Sequence, residues 1–452
     1  MQSTQIIHPN PQDKLPYEIL RDIFLLTLPE RDYDRMRLYY PPTTISQVCS
    51  RWRKIAFSEP KFWDTVIFNS ISRQGPCCDP WPEDFIKSGR VQRWFHRTGG
   101  SHPLVLGEEK SGTPSGCLIF YLFPIIVEFS ARIKTLKIVI TALHHLDYMR
   151  ELAQVAQFGE LASVEIHAAI RKNMMDRDLN GVGEIHAFKD KTLKLKEAHF
   201  RVDMAAPVQF VMPWRQLRRV KLTGCLGRLV FLSDWIALLR LCPDLETAEL
   251  IDPCEMSLSD VPKELVGSSL VSLTIHDAHS SLHPQHRTGS PECMFINLSE
   301  FAHLKHLEIR VLNRPWYECS EPPQRGFVET LSGLKSLENL TLYTSGGIDS
   351  RFPQRIRAIV QDWTATPTGG FRALRSFTLQ YSHHHAQDLV HLLEGPLSTT
   401  RCPSLSMTIA GEDEEIGMWR ELLGDSSFSS VVDRLKVTPR SEFNFEEAPL
   451  FI

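Results

Sequence analysis

The stretch LRRVKLTGC, residues 217–225, contains three apolar residues, Leu217, Val220 and Leu222, separated by two residues and then by one. This spacing recurs at intervals of 22 to 37 residues from residue 133 onward. The other triplets with this spacing are Trp63/Val66/Phe68, Ile133/Leu136/Ile138, Leu161/Val164/Ile166, Leu195/Ala198/Phe200, Leu245/Ala248/Leu250, Leu270/Leu273/Ile275, Leu304/Leu307/Ile309, Leu337/Leu340/Leu342 and Leu374/Phe377/Leu379. The chain is therefore built from many similar units.

The last two residues of each triplet alternate with another position, which is typical of a short β-strand with one buried face. Helix-like stretches lie between triplets: RIRAIVQDW (355–363) and FVETLSGL (327–334) place apolar residues at helical offsets. Strand and helix repeated at this period predict an α/β solenoid, in which each unit buries its apolar face against its neighbours. We expect this solenoid over residues 117–440, with an unrelated α/β domain as the alternative.

The first seventy residues have a different pattern. The stretch LPYEILRDIF places apolar residues on one helical stripe at offsets 0, 4, 5, 8 and 9: Leu15, Ile19, Leu20, Ile23 and Phe24. Pro16 suits the first turn of this helix, and Pro29 is expected to end it. A polar, charged loop at residues 29–42 follows.

A second helix is predicted to begin at Thr44, because Gln47 three residues later gives the spacing of a capping box. We expect it to end at Ser58, and its apolar stripe comprises Ile45, Val48, Cys49, Trp52, Ile55 and Ala56. The following FWDTVIF is predicted to form a strand. A few short helices bury little apolar surface by themselves. The rest of the chain or a partner must therefore cover some of these side chains.

The order Leu15-Pro16, Glu18-Ile19-Leu20, Ile23-Phe24, Val48-Cys49-x-x-Trp52 and Trp63 resembles the F-box, in particular that of fungal (mushroom-type) F-box proteins. The resemblance implies docking on the Skp-type adaptor of a cullin-RING ubiquitin ligase. Its implied adaptor contacts are Leu15, Pro16, Ile19, Leu20, Ile23, Val48 and Trp52. The alternative is that Phe24, Val48, Cys49 and Trp52 form the small core of the F-box itself. Segment 29–42 departs from the compact F-box, because it is longer and charged.

The later triplets resemble degenerate leucine-rich repeats. LRRVKLTGC matches the L-x-x-L-x-L-x-x-N/C core, and CPDL at Cys242 and CPSL at Cys402 are similar to the Cys-Pro-x-Leu start of such repeats. Intervals above 30 residues and the mostly missing Asn/Cys position depart from the family pattern. Some strand positions are expected to point outward, for example Arg218, Arg219 and Lys221, or Lys305, His306 and Glu308. The sequence does not assign the residues that bind a target.

Together the two resemblances imply a substrate-recognition subunit of an SCF-type ubiquitin ligase, which binds the adaptor, through it a cullin, and an unidentified target protein. The alternative is an F-box/repeat scaffold that acts outside a ligase. The expected domains are a leader (1–12), the F-box (13–68), a degenerate first repeat or linker (69–116), the solenoid (117–440) and a tail (441–452).

Composition and motifs argue against other functions. A net charge of −4 argues against nucleic acid as the main partner. The longest apolar run, Leu118–Val127, is too short for a membrane helix, and the N-terminus lacks the pattern of a secretory signal. Ten cysteines without paired spacing favour reduced thiols in the cytoplasm or nucleus.

No catalytic pattern is convincing. GVGEIH at Gly181 lacks the third glycine of a dinucleotide loop, and GDSS at Gly424 lacks triad partners. The run His383 to His385 has no further ligand beside it. We therefore expect no enzymatic activity, no cofactor and no metal, with an enzyme of unrecognised α/β fold as the least favoured hypothesis.

Overall fold

The structure is a computed structural model. It describes residues 15–28, 41–69, 82–109, 118–142, 144–168, 188, 192–202, 210–224, 232–251, 269–277, 301–311, 331, 333–344, 373–381, 406–411 and 435–439. The leader, Pro29, the helix-like stretch 355–363, the segments beginning at Gly181 and Gly424, His383 to His385, and the tail 441–452 lie outside these residues.

The chain divides into two compact units, the first comprising Met1–Asp176 with Ile185–Leu195 and the second Arg177–Glu184 with Lys196–Ile452. The first unit contains seven helices in its described ranges: α1 (Tyr17–Leu26), α2 (Pro41–Val48), α3 (Ser50–Ser58), α4 (Pro82–Lys87), α5 (Arg90–His96), α6 (Ile119–Phe129) and α7 (His145–Val155). Its strands are β1 (Thr65–Asn69), β2 (Leu104–Glu109), β3 (Ile133–Ile140) and β4 (Ser163–Ala168).

The second unit is dominated by strands. They are β5 (Glu197–Val202), β6 (Arg219–Gly224), β7 (Thr247–Ile251), β8 (Ser272–Asp277), β9 (His306–Val311), β10 (Asn339–Thr344), β11 (Ser376–Tyr381), β12 (Ser406–Gly411) and β13 (Leu435–Pro439). Helix α8 (Leu232–Leu241) connects β6 to β7. The predicted α/β class with alternating strands and helices is confirmed.

Within each unit, every pairing that the structure describes between consecutive strands is parallel. The triplets are in register: Val220 of β6 lies opposite Ala248 of β7, and Leu222 lies opposite Leu250. All four side chains are buried. From β5 to β10 the equivalent triplet positions are all buried and apolar, which is the arrangement expected of repeats that bury their faces against their neighbours. In β2 of the first unit, the buried Glu108 lies opposite Phe68 instead.

The first residue of each triplet is also buried, and it lies just before its strand, as at Leu217, Leu245 and Leu304, except that Ile133 begins β3. Full burial of a leucine side chain contributes about 1.5–3 kcal/mol.

Gly107 in β2 lies close to the neighbouring strand, because a Cβ atom there would lie 2.4 Å from the Lys137 Cβ of β3. Glycine permits this close approach of the two strands.

The prediction of one helix from Thr44 to Ser58 is wrong. Helix α2 begins at Pro41 and ends at Val48, and α3 begins at Ser50. Between them Cys49 is extended (φ −156°, ψ 171°), and its Sγ accepts a hydrogen bond from the Trp52 backbone N–H at 3.4 Å. Cys49 thus caps a new helix where the apolar spacing predicted a continuous one. The expected end at Ser58 is confirmed.

A three-residue 3₁₀ turn (Pro60–Phe62) joins α3 to β1. Trp63 follows this turn and is fully buried among Phe57 of α3, Trp94 of α5 and the Arg97 guanidinium. Segment 90–109 contains helix α5 and strand β2. The N-terminal helices and this segment therefore share one core within the first unit.

Candidate functional site: an exposed apolar stripe on the first helix

Helix α1 begins where the sequence predicts. Pro16 is its N-cap residue, and Glu18 in the first turn faces the positive end of the helix dipole. The helix ends at Leu26, where the Thr27 hydroxyl donates a hydrogen bond to the Phe24 carbonyl at 2.6 Å. Its inward face is narrow and is formed by Leu20 and Phe24, each 3% exposed.

A second apolar face of α1 remains exposed. We define the α1 stripe as Leu15, Pro16, Ile19, Ile23 and Leu26. At roughly 100° per residue, these positions fall within about 100° of one another around the helix, next to the buried pair. Ile19 is 47% exposed and Leu26 is 86% exposed. The exposed stripe of α1 therefore spans a wider arc, about 100°, than the buried pair, which spans about 40°.

Three contacts hold α1 on α3: the Phe24 and Trp52 rings lie 4.7 Å apart, the Arg51 guanidinium donates a hydrogen bond to the Leu15 carbonyl, and the Tyr17 and Ser58 hydroxyls are hydrogen-bonded to each other. Both ends of α3 therefore contact the beginning of α1. These contacts fix the backbone of the α1 stripe while its aliphatic side chains remain exposed.

The structure separates the predicted contact residues into two groups. Leu15, Pro16, Ile19, Ile23 and Val48 are exposed and Trp52 is half-buried. Leu20 is buried, at 3% exposure. The binding of an adaptor by the predicted contact residues, Leu20 included, stays a prediction.

The alternative interpretation, a small core of Phe24, Val48, Cys49 and Trp52, is also only partly correct. Phe24 is buried and packs on Trp52, whereas Val48 and Cys49 are exposed. Leu26 is an exposed member of the stripe that the sequence analysis did not identify. Its separation of three residues from Ile23 and seven from Ile19 was the available signal.

Charged side chains border the stripe on one side. Glu18 and Asp22 are exposed, and Arg21 forms an ion pair with Asp22 at 2.8 Å. The hydrogen bond and charge of Asp22 raise the pKa of Arg21. The site thus combines an aliphatic centre with a polar border, which is the general anatomy of a protein–protein interface.

The strand positions expected to point outward lie outside the core. Arg219, Lys305 and His306 are exposed, while Arg218, Lys221 and Glu308 are half-buried. Several pair across neighbouring strands, as Lys221 does with Glu249 at 2.8 Å and Lys305 with Glu338 at 2.9 Å. This face is polar and carries charges of both signs.

Among the described residues, no group of three or more His, Cys, Asp or Glu side chains is arranged to hold a metal ion. None of the helices in the described ranges is both long and apolar enough to cross a membrane. Neither the protein-family models nor the curated proteins compared with this sequence gave a match. The family resemblance therefore depends on the residues quoted above.

Proposed function

We propose that this chain is the substrate-recognition subunit of an SCF-type cullin-RING ubiquitin ligase in the cytoplasm or nucleus. The observation that carries the proposal is the α1 stripe, which presents aliphatic side chains at the positions where the F-box resemblance expects adaptor contacts. The same helix buries Leu20 and Phe24, so its fold does not require the stripe to be covered.

The energetics of such a site favour a few strong contacts. Covering apolar surface contributes roughly 25 cal/mol per Å². Buried aliphatic anchors at the centre of an interface account for most of its binding energy. Ile19 and Ile23 stand one helical turn apart with similar exposure, so both can enter one groove of a partner.

The repeat strands would supply the second surface. Their exposed positions are polar, in contrast to the α1 stripe, and suit recognition of a target by hydrogen bonds and ion pairs. A receptor that holds a target close to a charged ubiquitin-conjugating enzyme converts an encounter between molecules into an effectively intramolecular reaction. Such a receptor needs no catalytic residue of its own.

The proposal is tested by co-purification of the full chain with a Skp-type adaptor. We expect Ile19→Ala and Ile23→Ala each to weaken binding by about 2 kcal/mol, or roughly 30-fold. Val155→Ala is the matched control, because Val155 on α7 is also 47% exposed but lies on another helix. Unchanged adaptor recovery for the Ile19→Ala/Ile23→Ala double variant would refute the proposed site.

A scaffold that acts outside a ligase is the second candidate. It is favoured by the sequence of residues 29–42, which is long and charged where the compact F-box has a leucine-rich helix. Recovery of the adaptor without a cullin in the same purification would support this candidate over the ligase receptor.

A further inference from the structure

The exposed side of α3 carries cations with no carboxylate partner among the described residues. Arg53 and Lys54 are exposed, and neither takes part in an ion pair within that part of the chain. Phe57 lies on the same face of α3, four residues after Arg53 and three residues after Lys54. The Arg97 guanidinium lies 5.0 Å from the centre of the Phe57 ring. We define these four residues as the cationic strip.

Among the residues that the structure describes, no acidic side chain forms an ion pair with the cations of the cationic strip. Burial lowers the pKa of Arg97, and the charge of Arg93 lowers it further, with no described acidic group acting in the opposite direction. The Arg53 Nε donates a hydrogen bond to the Ser46 carbonyl at 2.8 Å, which holds this side chain against α2. A cluster of cations held in place in this way attracts acidic groups from outside.

The cationic strip lies beside the α1 stripe. Arg51 at the start of α3 donates to the Leu15 carbonyl, and Ser58 at its end is bonded to Tyr17. Phe57, which belongs to the cationic strip, directly precedes Ser58. One partner surface can therefore contact both the aliphatic and the cationic part.

We propose that the cationic strip binds an acidic protein segment of the same partner that covers the α1 stripe. The inference rests on the proposed function, and it predicts that the adaptor carries carboxylates beside the apolar surface that covers the α1 stripe. A nucleic acid would leave the aliphatic stripe uncovered. An anionic membrane would meet the exposed carboxylates of Glu18 and Asp22 at the border of that stripe.

The test is a charge reversal measured at two salt concentrations. Arg53→Glu/Lys54→Glu is compared with Lys134→Glu/Lys196→Glu, which changes the charge equally at two exposed lysines elsewhere. At about 0.1 M salt we expect the rate of adaptor association to fall about tenfold for the first variant only. At about 1 M salt, where screening is strong, the difference should disappear.

The outcomes separate this inference from the proposed function. Absence of adaptor binding by the unmodified chain would overturn the proposed function. Normal binding that Arg53→Glu/Lys54→Glu leaves unchanged would overturn the role of the cationic strip alone. The unmodified chain and the variant are also tested for binding to anionic vesicles and to RNA. If only Arg53→Glu/Lys54→Glu loses such binding while it keeps adaptor binding, the cationic strip is reassigned to the vesicle or RNA ligand. Far-UV circular dichroism of each variant checks that it is folded.

Discussion

Trp63 connects the N-terminal helices to the repeats, and its replacement should destabilise both. Its indole Nε1 donates a hydrogen bond to the Ala56 carbonyl at 2.7 Å, near the end of α3. In a continuing helix that carbonyl would accept from the residue four positions later, which is Pro60 and has no N–H. The tryptophan side chain therefore supplies the donor that the backbone cannot.

The magnitude follows from three contacts. Leaving a buried carbonyl unsatisfied costs about 1–3 kcal/mol. The edge-to-face contact of Trp63 with Trp94, at 4.7 Å, contributes about 0.5–1.5 kcal/mol. The Arg97 guanidinium, 4.3 Å from the ring centre, contributes about 0.5–2 kcal/mol. We therefore expect Trp63→Leu to lower the free energy of unfolding by about 2–6 kcal/mol.

Urea unfolding followed by far-UV circular dichroism measures this loss. Trp63→Phe keeps a ring beside Trp94 but removes the N–H. Its free energy of unfolding should therefore lie between those of the parent and of Trp63→Leu. Arg97→Gln removes only the cation and serves as the third member of the series. A urea midpoint for Trp63→Phe equal to that of the parent would refute the role of the Ala56 hydrogen bond. A Trp63→Leu cost below about 1 kcal/mol would refute the reasoning as a whole.

Three other predictions concern single residues. Gly107→Ala would place a Cβ 2.4 Å from the Lys137 Cβ and should cost about 1–3 kcal/mol; an unchanged urea midpoint would contradict this. Burial, helped by the neighbouring His144 charge, lowers the pKa of His145 from 6.5 to about 4, so the unfolded chain binds the proton more readily. The free energy of unfolding should therefore be highest above pH 6.5 and decline as the pH falls toward 4, and this decline should be less steep in His145→Gln. Identical pH profiles of the parent and this variant would contradict the prediction. Burial raises the pKa of Cys242 to about 12, so iodoacetamide should modify the exposed Cys49 thiol before the Cys242 thiol. Equal labelling of these two cysteines in the folded chain would contradict the prediction.

The repeat pattern could be predicted from the sequence because each triplet reports both the period of a strand and its burial. All ten triplets coincide with strands, so spacing alone located most of the sheet positions. Strand β12 was not identified as a triplet because Ser404 occupies the first position. Strand β2 was not identified because Glu108 occupies the third position, opposite Phe68 of β1. Strand β13 carries the full spacing at Val432, Leu435 and Val437 and was accessible by the same rule.

The candidate site could be predicted only in part. Periodicity places Ile19 and Leu20 in one apolar stripe, but in the folded chain Leu20 is buried and Ile19 is exposed. The break at Cys49 was not visible either, because apolar spacing continues through Val48 and Trp52. The cationic strip was not predictable from local sequence, because Arg97 is forty residues from Phe57 in sequence and reaches it only in the folded unit.

The strands β5 to β13 pair in chain order with equivalent residues opposite one another. Duplication or deletion of one whole strand with its connection would thus add or remove one repeat without changing the order in which the other strands pair. Under the proposed function, recombination between repeats would change the target-binding surface and leave the amino-terminal helices unchanged.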